Sequence, residues 1–491
     1  MNIEAIACVD AAGGLSKQGE LPWMGTPEGR ADLQYMRQQT LLAAPGKKNI
    51  IIVGHTTFKT LPPNFYGGET RQLYILSKKQ KDQQQQDQLT YYSCPEALYL
   101  DLMDRYYKKA DIDRIFVFGG GEIYKIFLEK RWIHTFHMTT LNTNYTCDTF
   151  FPLALLDGGA YKVARTCALT LHSTLTIWAR QPHPEYAYLE LLQKVYYTGQ
   201  PRETRNGGGG SGGGGGAAAA DTQSIFGAAV EFDVAQFGFP LLTTKKMFFK
   251  GIAEELCWFL KADTDARHLQ EKGVHIWDGN TSRTFLDQLG LTDYAEGQAG
   301  PIYGYQWRNF NGPYNKEQEG GGPVKLEVDG RDQLYACLQL LQKDPFSRRI
   351  LFSGWNPQQL SEMCLPPCHV LYQFYVSADK QTLSCQMYQR SADLFLGLPF
   401  NIASTALLTG IFARLTNLSV GTIRINIGDA HIYGQHHECV RQQLTRTPLP
   451  FCQLGFQEKG KSQKKLEDFT LQDFVIHNYV SHGALKAPMI A

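Results

Sequence analysis

An α/β domain with a mostly parallel central sheet is expected over residues 1–180 of this 491-residue chain. Three observations carry that expectation. Short apolar runs rich in Ile, Val and Phe alternate with stretches of helical spacing, the order of a sheet flanked by helices. The turns after those runs hold Gly, Thr, Ser or Lys, residues suited to strand-to-helix turns that bind phosphate. A break at residues 181–185, Gln-Pro-His-Pro-Glu, then reads as a short linker to a second domain over 186–491.

In chain order, residues 3–9 form the first buried strand, followed by Gly13-Gly14 and a loop to Leu21-Pro22-Trp23. Residues 32–42 place Leu33, Met36 and two later leucines at helical spacing, so Asp32 stands at a helix start, where a carboxylate suits the macrodipole. An N-cap is the plain alternative for that acid. Residues 49–53 form a second strand, and Gly54-His55-Thr56-Thr57 opens a helix. A third strand at 72–77 runs into Ser77-Lys78, and the glutamine-rich stretch 80–88 reads as a solvated loop. Residues 115–118 form a fourth strand, leading to Gly119-Gly120-Gly121 and a helical pattern over 122–128 with Tyr124 in it. Glycine at such a turn lets a ligand approach the backbone, although packing alone also explains it. Residues 174–178 form the last strand-like run, and 186–197 a helix ending at Gly199.

Formal net charge is +1, so no global field calls for nucleic acid or a membrane surface. Eleven cysteines without CxxC pairs argue against a disulfide framework or zinc site, and for a reducing compartment. No metal is expected. Glu4 and Asp10 interrupt the apolar start, which argues against a signal peptide. No run reaches the roughly 18 apolar residues of a membrane span. A cytoplasmic protein is expected. Residues 206–220, glycine and alanine with a single serine after Asn206, are low-complexity sequence and read as an insertion.

One stretch of the second domain stands out. In Leu365-Pro-Pro-Cys-His369 two prolines restrict the backbone, and residues 372–376 read as a buried strand. Cys368 is therefore a candidate nucleophile at a constrained turn, against the plain alternative of a buried structural thiol.

The first half resembles dihydrofolate reductase. Leu21-Pro22-Trp23, the helix over 32–40, Val53-Gly54-His55-Thr56-Thr57-Phe58, Arg71 with Leu76-Ser77-Lys78, Phe118-Gly119-Gly120-Gly121 with Tyr124, Thr139, and Asp148-Thr-Phe-Phe-Pro152 carry the resemblance. It implies that Asp32 is the acid of the pterin pocket, sharing hydrogen bonds with Thr139, and that Ala7 and Met36 line it. Arg71 would hold the folate α-carboxylate through its planar fork. Gly54, His55, Thr56, Thr57, Ser77, Lys78, Gly119, Gly120, Gly121 and Tyr124 would bind NADPH. The loop between Trp23 and Asp32 is longer than usual and offers Glu28 as a rival acid; Met36 replaces the usual phenylalanine, and His55 the usual arginine.

From Ser224 onward the chain resembles thymidylate synthase, which implies an α+β fold. Phe239-Pro-Leu-Leu-Thr-Thr-Lys-Lys246, Ile276-Trp277-Asp278, Gly300-Pro-Ile-Tyr-Gly-Tyr-Gln-Trp-Arg308, Ser347-Arg-Arg349, Leu365-Pro-Pro-Cys-His369, Gln389-Arg-Ser-Ala-Asp393 and Gly428-Asp-Ala-His-Ile-Tyr433 carry it. The implied substrates are dUMP and 5,10-methylenetetrahydrofolate. Cys368 would attack C6, with Glu255 as acid–base relay. Arg205, Gln389, Arg390 and Ser391 would hold the nucleotide, with Arg348 and Arg349 reaching across from the second subunit of a homodimer. Asn401 would read the uracil edge, since an amide can accept from N3–H and donate to O4. His431 and Tyr433, two apart on a strand and so on one face, would bond the deoxyribose. Asp393 would hold the folate ring and Trp277 pack on it. His369 is left a supporting role.

The second half's product is the first half's substrate, so the whole resembles the fused folate enzymes of protists and plants. Hydroxymethylation of dCMP is disfavoured by Asn401. A scaffold or RNA-binding protein with a dead synthase is disfavoured by Cys368, Arg390 and Glu255. A synthase with a vestigial N-terminal module is separated by NADPH oxidation that depends on Asp32.

Overall fold

The computed structural model describes residues 1–62, 65, 69–78, 84–86, 89–203, 222–315, 330–457 and 464–490. It divides into two compact units, Met1–Pro182 with Thr445–Thr447, and His183–Leu444 with Pro448–Ala491.

The first unit contains β1 (Ile3–Val9), β2 (Gly14–Ser16), α1 (Pro27–Leu41), β3 (Lys48–Gly54), α2 (His55–Thr60), β4 (Arg71–Leu76), β5 (Gln84–Gln86), β6 (Leu89–Tyr92), α3 (Pro95–Asp104), β7 (Ile112–Val117), α4 (Gly121–Glu129), β8 (Thr135–Leu141), β9 (Thr149–Phe150), α5 (Ala154–Asp157), β10 (Tyr161–Thr170) and β11 (Ser173–Arg180). Nine strands join in the order β10-β11-β8-β1-β7-β3-β4-β6-β5. The six from β8 to β6 run parallel, and β5, β10 and β11 add antiparallel edges. Parallel strands covered on both faces become apolar throughout, and Ile50, Ile51, Ile52 and Val53 are all fully buried. Their side chains alternate between two cores: Ile50 and Ile52 pack with Phe127 and Phe136, while Ile51 and Val53 pack with Phe116 and Met36.

Three local expectations need correcting. Helix α1 starts at Pro27, not Asp32. Thr26 is its N-cap and accepts from Gly29 N, so Glu28 occupies the first turn and Asp32 the second. Asp32 is thus not a cap, and the dipole, which fades after the first turn, does little for it. The supposed long loop is largely helix. The glutamine-rich stretch is not all loop, because Gln84–Gln86 pairs with β6 as an antiparallel edge; its other members lie outside the described residues. Among the described residues the Ser77-Lys78 turn opens no helix: β5 and β6 are the next elements, and α3 begins at Pro95.

The second unit continues with α6 (Glu185–Thr198), β12 (Gln200–Arg202), β13 (Thr222–Asp233), α7 (Val234–Phe237), α8 (Phe249–Leu260), α9 (Arg267–Gln270), α10 (Arg283–Gln288), α11 (Tyr303–Arg308), α12 (Gln333–Lys343), β14 (Leu351–Ser353), β15 (His369–Val376), β16 (Thr382–Asp393), α13 (Gly397–Leu415), β17 (Ser419–Tyr433), α14 (His437–Leu444), β18 (Gln453–Phe456) and β19 (Phe474–His477). Six strands form a mixed sheet, β12-β13-β17-β16-β15-β14, in which only β16 and β17 are parallel. Its inner face packs on α13. That helix is long and apolar enough to cross a membrane by length and composition, contrary to expectation, but 78% of its apolar window is buried inside the unit, which marks a core helix. The outer face exposes Phe226, Leu351, Tyr375 and Tyr388. Strand β15 is accordingly half-buried rather than buried: Tyr372, Phe374 and Val376 point in, while Tyr375 is 69% exposed.

Candidate functional site

In the second unit the Cys368 turn is held by its backbone. Cys368 N donates to Tyr303 Oη at 2.8 Å, and Cys368 O accepts from Arg390 N at 3.0 Å. The Arg390 side chain donates from Nε to Pro367 O (2.9 Å) and from Nη2 to Pro366 O (2.6 Å). Prolines supply carbonyls but no donors, so the arginine meets acceptors the turn cannot satisfy itself. His369 faces elsewhere. Its Nδ1 lies 3.1 Å from Tyr372 Oη, and burial pushes the ring down to about 4, with a hydrogen bond to Asn401 opposing the shift.

Glu255, on α8, accepts from Trp277 Nε1 at 2.8 Å. Burial pushes its carboxyl up to about 7, and that bond opposes the shift. Trp277 is therefore an orienting donor, itself buried. Burial raises the Tyr303 phenol far above its ordinary range; Cys368 and Glu255 add to that and Arg390 opposes it. Tyr303 also meets the Trp277 ring edge-on at 5.9 Å, so it links the Cys368 turn to the tryptophan that holds Glu255. Although Tyr303 stands within one of the motifs that carry the resemblance, nothing local in sequence indicates its bond to the Cys368 amide.

The β16–β17 ladder gathers the next set. Ser391 pairs with Asp429 and Asp393 with His431. Gln389 Nε2 donates to Asn401 Oδ1 (2.8 Å) and to Ser391 O (2.9 Å), while its buried Oε1 has no partner among the described residues. Asp393 accepts from Phe395 N (2.9 Å) and Leu396 N (3.3 Å) and lies 3.6 Å from His436 Nδ1. Burial raises its carboxyl, but His436 and these donors outweigh that and hold it below the usual range. His431 Nδ1 lies 3.2 Å from Asp429 Oδ1, and the Tyr433 ring meets His431 edge-on.

Arg205 lies outside the described residues. Arg348 and Arg349 are exposed, and among the described residues neither guanidinium has a partner. Arg348 O accepts from Gln373 Nε2, on β15 five residues beyond Cys368, a separation of about 17 Å along a strand. The Arg348 backbone is thus fastened to β15 well beyond the Cys368 turn.

In the first unit Asp32 is buried against β8. Burial pushes its carboxyl up to about 6, with the nearby Thr139 hydroxyl opposing the shift. Among the described residues neither Asp32 Oδ1 nor Thr139 Oγ1 has a hydrogen-bond partner. Buried polar atoms are rarely left unpaired, so this pair suits a ligand with an amidine-like edge. Ala7 is buried in β1, and Met36 packs against the neighbouring core. Arg71 donates from Nε to Thr40 O (3.3 Å) and from Nη1 to Phe65 O (2.9 Å), leaving Nη2 buried without a partner among the described residues. That free donor fits a carboxylate.

The glycine turn packs closely. Gly54 N donates to Gly119 O at 2.8 Å, and the Gly119-Gly120 peptide is cis. Gly119 has φ +87°, and a Cβ there would sit 2.4 Å from the Tyr124 ring. A Cβ on Gly120 would sit 3.2 Å from Thr57 Oγ1. Tyr124 is core: its hydroxyl donates to Ile6 O at 2.5 Å and its ring packs on Phe136 and Phe151. Gly121 starts α4. Among the described residues His55 Nδ1 is buried without a partner; Thr56 and Lys78 are exposed, and Ser77 is buried. A Cβ-free turn that opens a helix, with an unpaired His55 ring nitrogen beside it, suits a dinucleotide phosphate.

Residues 2–170 match the dihydrofolate reductase family and residues 186–491 the thymidylate synthase family. The chain is 35% identical over 480 residues to bifunctional dihydrofolate reductase-thymidylate synthase 2 of Arabidopsis thaliana, covering 89% of this chain and 80% of that protein. It is 34% identical over 483 residues to the Leishmania major bifunctional dihydrofolate reductase-thymidylate synthase, covering 92% and 89%. The Paramecium tetraurelia protein of the same name is 34% identical over 460 residues, covering 89% of each.

Proposed function

The chain belongs to the bifunctional dihydrofolate reductase–thymidylate synthase family, and on that premise we propose how its residues divide the two reactions. It makes dTMP and reduces dihydrofolate, and the two families imply use of methylenetetrahydrofolate and NADPH. When bound, the folate supplies a one-carbon unit with the electrons that reduce it, and NADPH supplies hydride.

Cys368 adds through sulfur to C6 of dUMP. Arg390 fixes the Pro-Pro turn and also turns its remaining N–H groups toward the phosphate, with Ser391 and Arg205. Gln389 fixes the Asn401 amide, whose Nδ2 stabilises the developing charge at O4. His431 and Tyr433 take the deoxyribose hydroxyl. Glu255, poised near neutrality and oriented by Trp277, moves protons through water. Asp393 holds the pterin ring. Arg348 and Arg349 act in the partner's site of a homodimer. The exposed apolar face of the six-stranded sheet supports that reading, because Arg348 lines a cavity there with Tyr375 and Arg424. In the reductase unit Asp32 and Thr139 grip the pterin, with Asp32 supplying the proton that accompanies hydride transfer. Arg71 binds the glutamate carboxylate. The glycine turn, Thr57, Ser77, Lys78 and His55 bind NADPH in preference to NADH. Eleven free thiols support a cytoplasmic setting.

The observation that carries this reading is the Cys368 turn fastened by Arg390 and Tyr303, with Glu255 joined to Tyr303 through Trp277. Tritium release from C5-labelled dUMP tests it. Cys368→Ser is expected to release none above background while retaining dihydrofolate reduction. Release at the wild-type rate overturns the assignment.

A further inference from the structure

A chain of side-chain hydrogen bonds crosses the reductase unit about one helical turn from Asp32 and is unused by the chemistry above. Tyr35 Oη lies 2.7 Å from His137 Nδ1, and His137 Nε2 lies 3.1 Å from Glu4 Oε2. Arg114 grips Glu4 from Nε at 3.1 Å and from Nη2 at 2.9 and 2.8 Å. Its Nη1 returns to α1, donating to Gln39 O at 2.9 Å. Glu4 and His137 are buried. Burial raises the Glu4 carboxyl, yet His137 and Arg114 together hold it below its ordinary value. A carboxylate facing His137 Nε2 requires a proton there whatever the charge of the ring, so His137 donates to Glu4 and leaves Nδ1 for Tyr35.

Plain attachment of a helix to a sheet needs only apolar side chains, and buried ion pairs are rarely the more stable choice. The register suggests another use. Ile6 pairs with His137 and Cys8 with Thr139, so His137 and Thr139 share the face of β8 on which α1 lies. Along α1, Tyr35 follows Asp32 by about 4.5 Å of rise. Along β8, His137 precedes Thr139 by about 6.6 Å. Helix and strand therefore meet at two levels. At the Asp32 level, neither Oδ1 nor Thr139 Oγ1 has a partner among the described residues. At the Tyr35 level, the groups are tied together.

We propose that Tyr35, His137 and Glu4 are positioning residues for dihydrofolate reduction, fixing α1 on β8 so that Asp32 keeps its working separation from Thr139. The proposal rests on the assignment of Asp32 as the reductase acid. Arg114 neutralises Glu4 and anchors the far end.

Tyr35→Phe removes one oxygen and keeps the ring. It is expected to lower kcat for dihydrofolate reduction about tenfold, as a small displacement of a reacting group does, with KM for NADPH within about twofold. In an Asp32→Asn background the same change is expected to cost nothing further, because both act through one group. His137→Gln, which retains an N–H donor for Glu4, is expected to recover part of the rate lost in His137→Leu. All rates are normalised to dTMP formation by the same full-length protein. Wild-type kcat in Tyr35→Phe, or an equal further loss in the Asp32→Asn background, overturns the proposal. Full activity in Asp32→Asn alone refutes the assignment beneath it. An inactive Asp32→Asn beside an unaffected Tyr35→Phe refutes only the positioning role.

Discussion

Glu255 and Asp32 are both carboxyls whose burial raises their proton affinity, to about 7 and about 6. The Trp277 bond lowers the Glu255 value, so Trp277→Phe is expected to move the corresponding limb of the dTMP-forming pH–rate profile to higher pH. Glu255→Gln is expected to lose that limb and about 10²–10⁴ of kcat; an unmoved limb in either variant counts against Glu255. For Asp32 the folded value exceeds the ordinary 3.8, so the native state binds the extra proton between the two. Stability therefore falls as pH rises through that window, and the full cost stands above about 6. Asp32→Asn is expected to stabilise the reductase unit at pH 8 by on the order of 3 kcal/mol and hardly at pH 4, while lowering reductase activity; urea unfolding at the two pH values checks it. Cys368, Asp32 and Arg71 stand in short sequence motifs and were legible there. Their supports were not, because Tyr303 and Cys368 are 65 residues apart and His137 and Glu4 are 133 apart. Such pairs meet only through the fold.

Helix α1 shows how an element boundary can be visible and still be passed over. Thr26, Pro27 and Glu28 form a cap, a first-turn proline and a first-turn acid, yet no apolar residue marks that turn, so the periodic pattern begins only at Asp32. Strand β15 has the opposite problem. Its run of Tyr, Phe and Val reads as buried, but the sheet covers only one face, and the exposed one is the expected surface for a second subunit. The glycine turn between β7 and α4 was legible as a turn, while the reason for its first glycine was not. Tyr124 fills the space a side chain would need, and φ is left-handed. Gly119→Ala is expected to destabilise the reductase unit by about 1–3 kcal/mol or more and to weaken NADPH binding; thermal unfolding with and without NADPH measures both. Unchanged stability would show that Tyr124 does not need the space.

Two units on one chain make two reactions separable by single substitutions. The cross-subunit role proposed for Arg348 and Arg349 predicts a further separation. Cys368→Ser chains and Arg348→Ala/Arg349→Ala chains, each inactive in dTMP synthesis, are expected to regain part of that activity when mixed under conditions of subunit exchange, because hybrid dimers contain one intact site. No recovery despite proven exchange would place the arginines elsewhere. The most direct test of the whole account follows dTMP, dihydrofolate and NADPH together after adding dUMP and methylenetetrahydrofolate to the purified chain. The wild type is expected to oxidise one NADPH per dTMP formed. Asp32→Asn should form dTMP and accumulate dihydrofolate, and Cys368→Ser should form no dTMP yet still reduce added dihydrofolate. Continued dTMP formation by Cys368→Ser, or undiminished dihydrofolate reduction by Asp32→Asn, would contradict it.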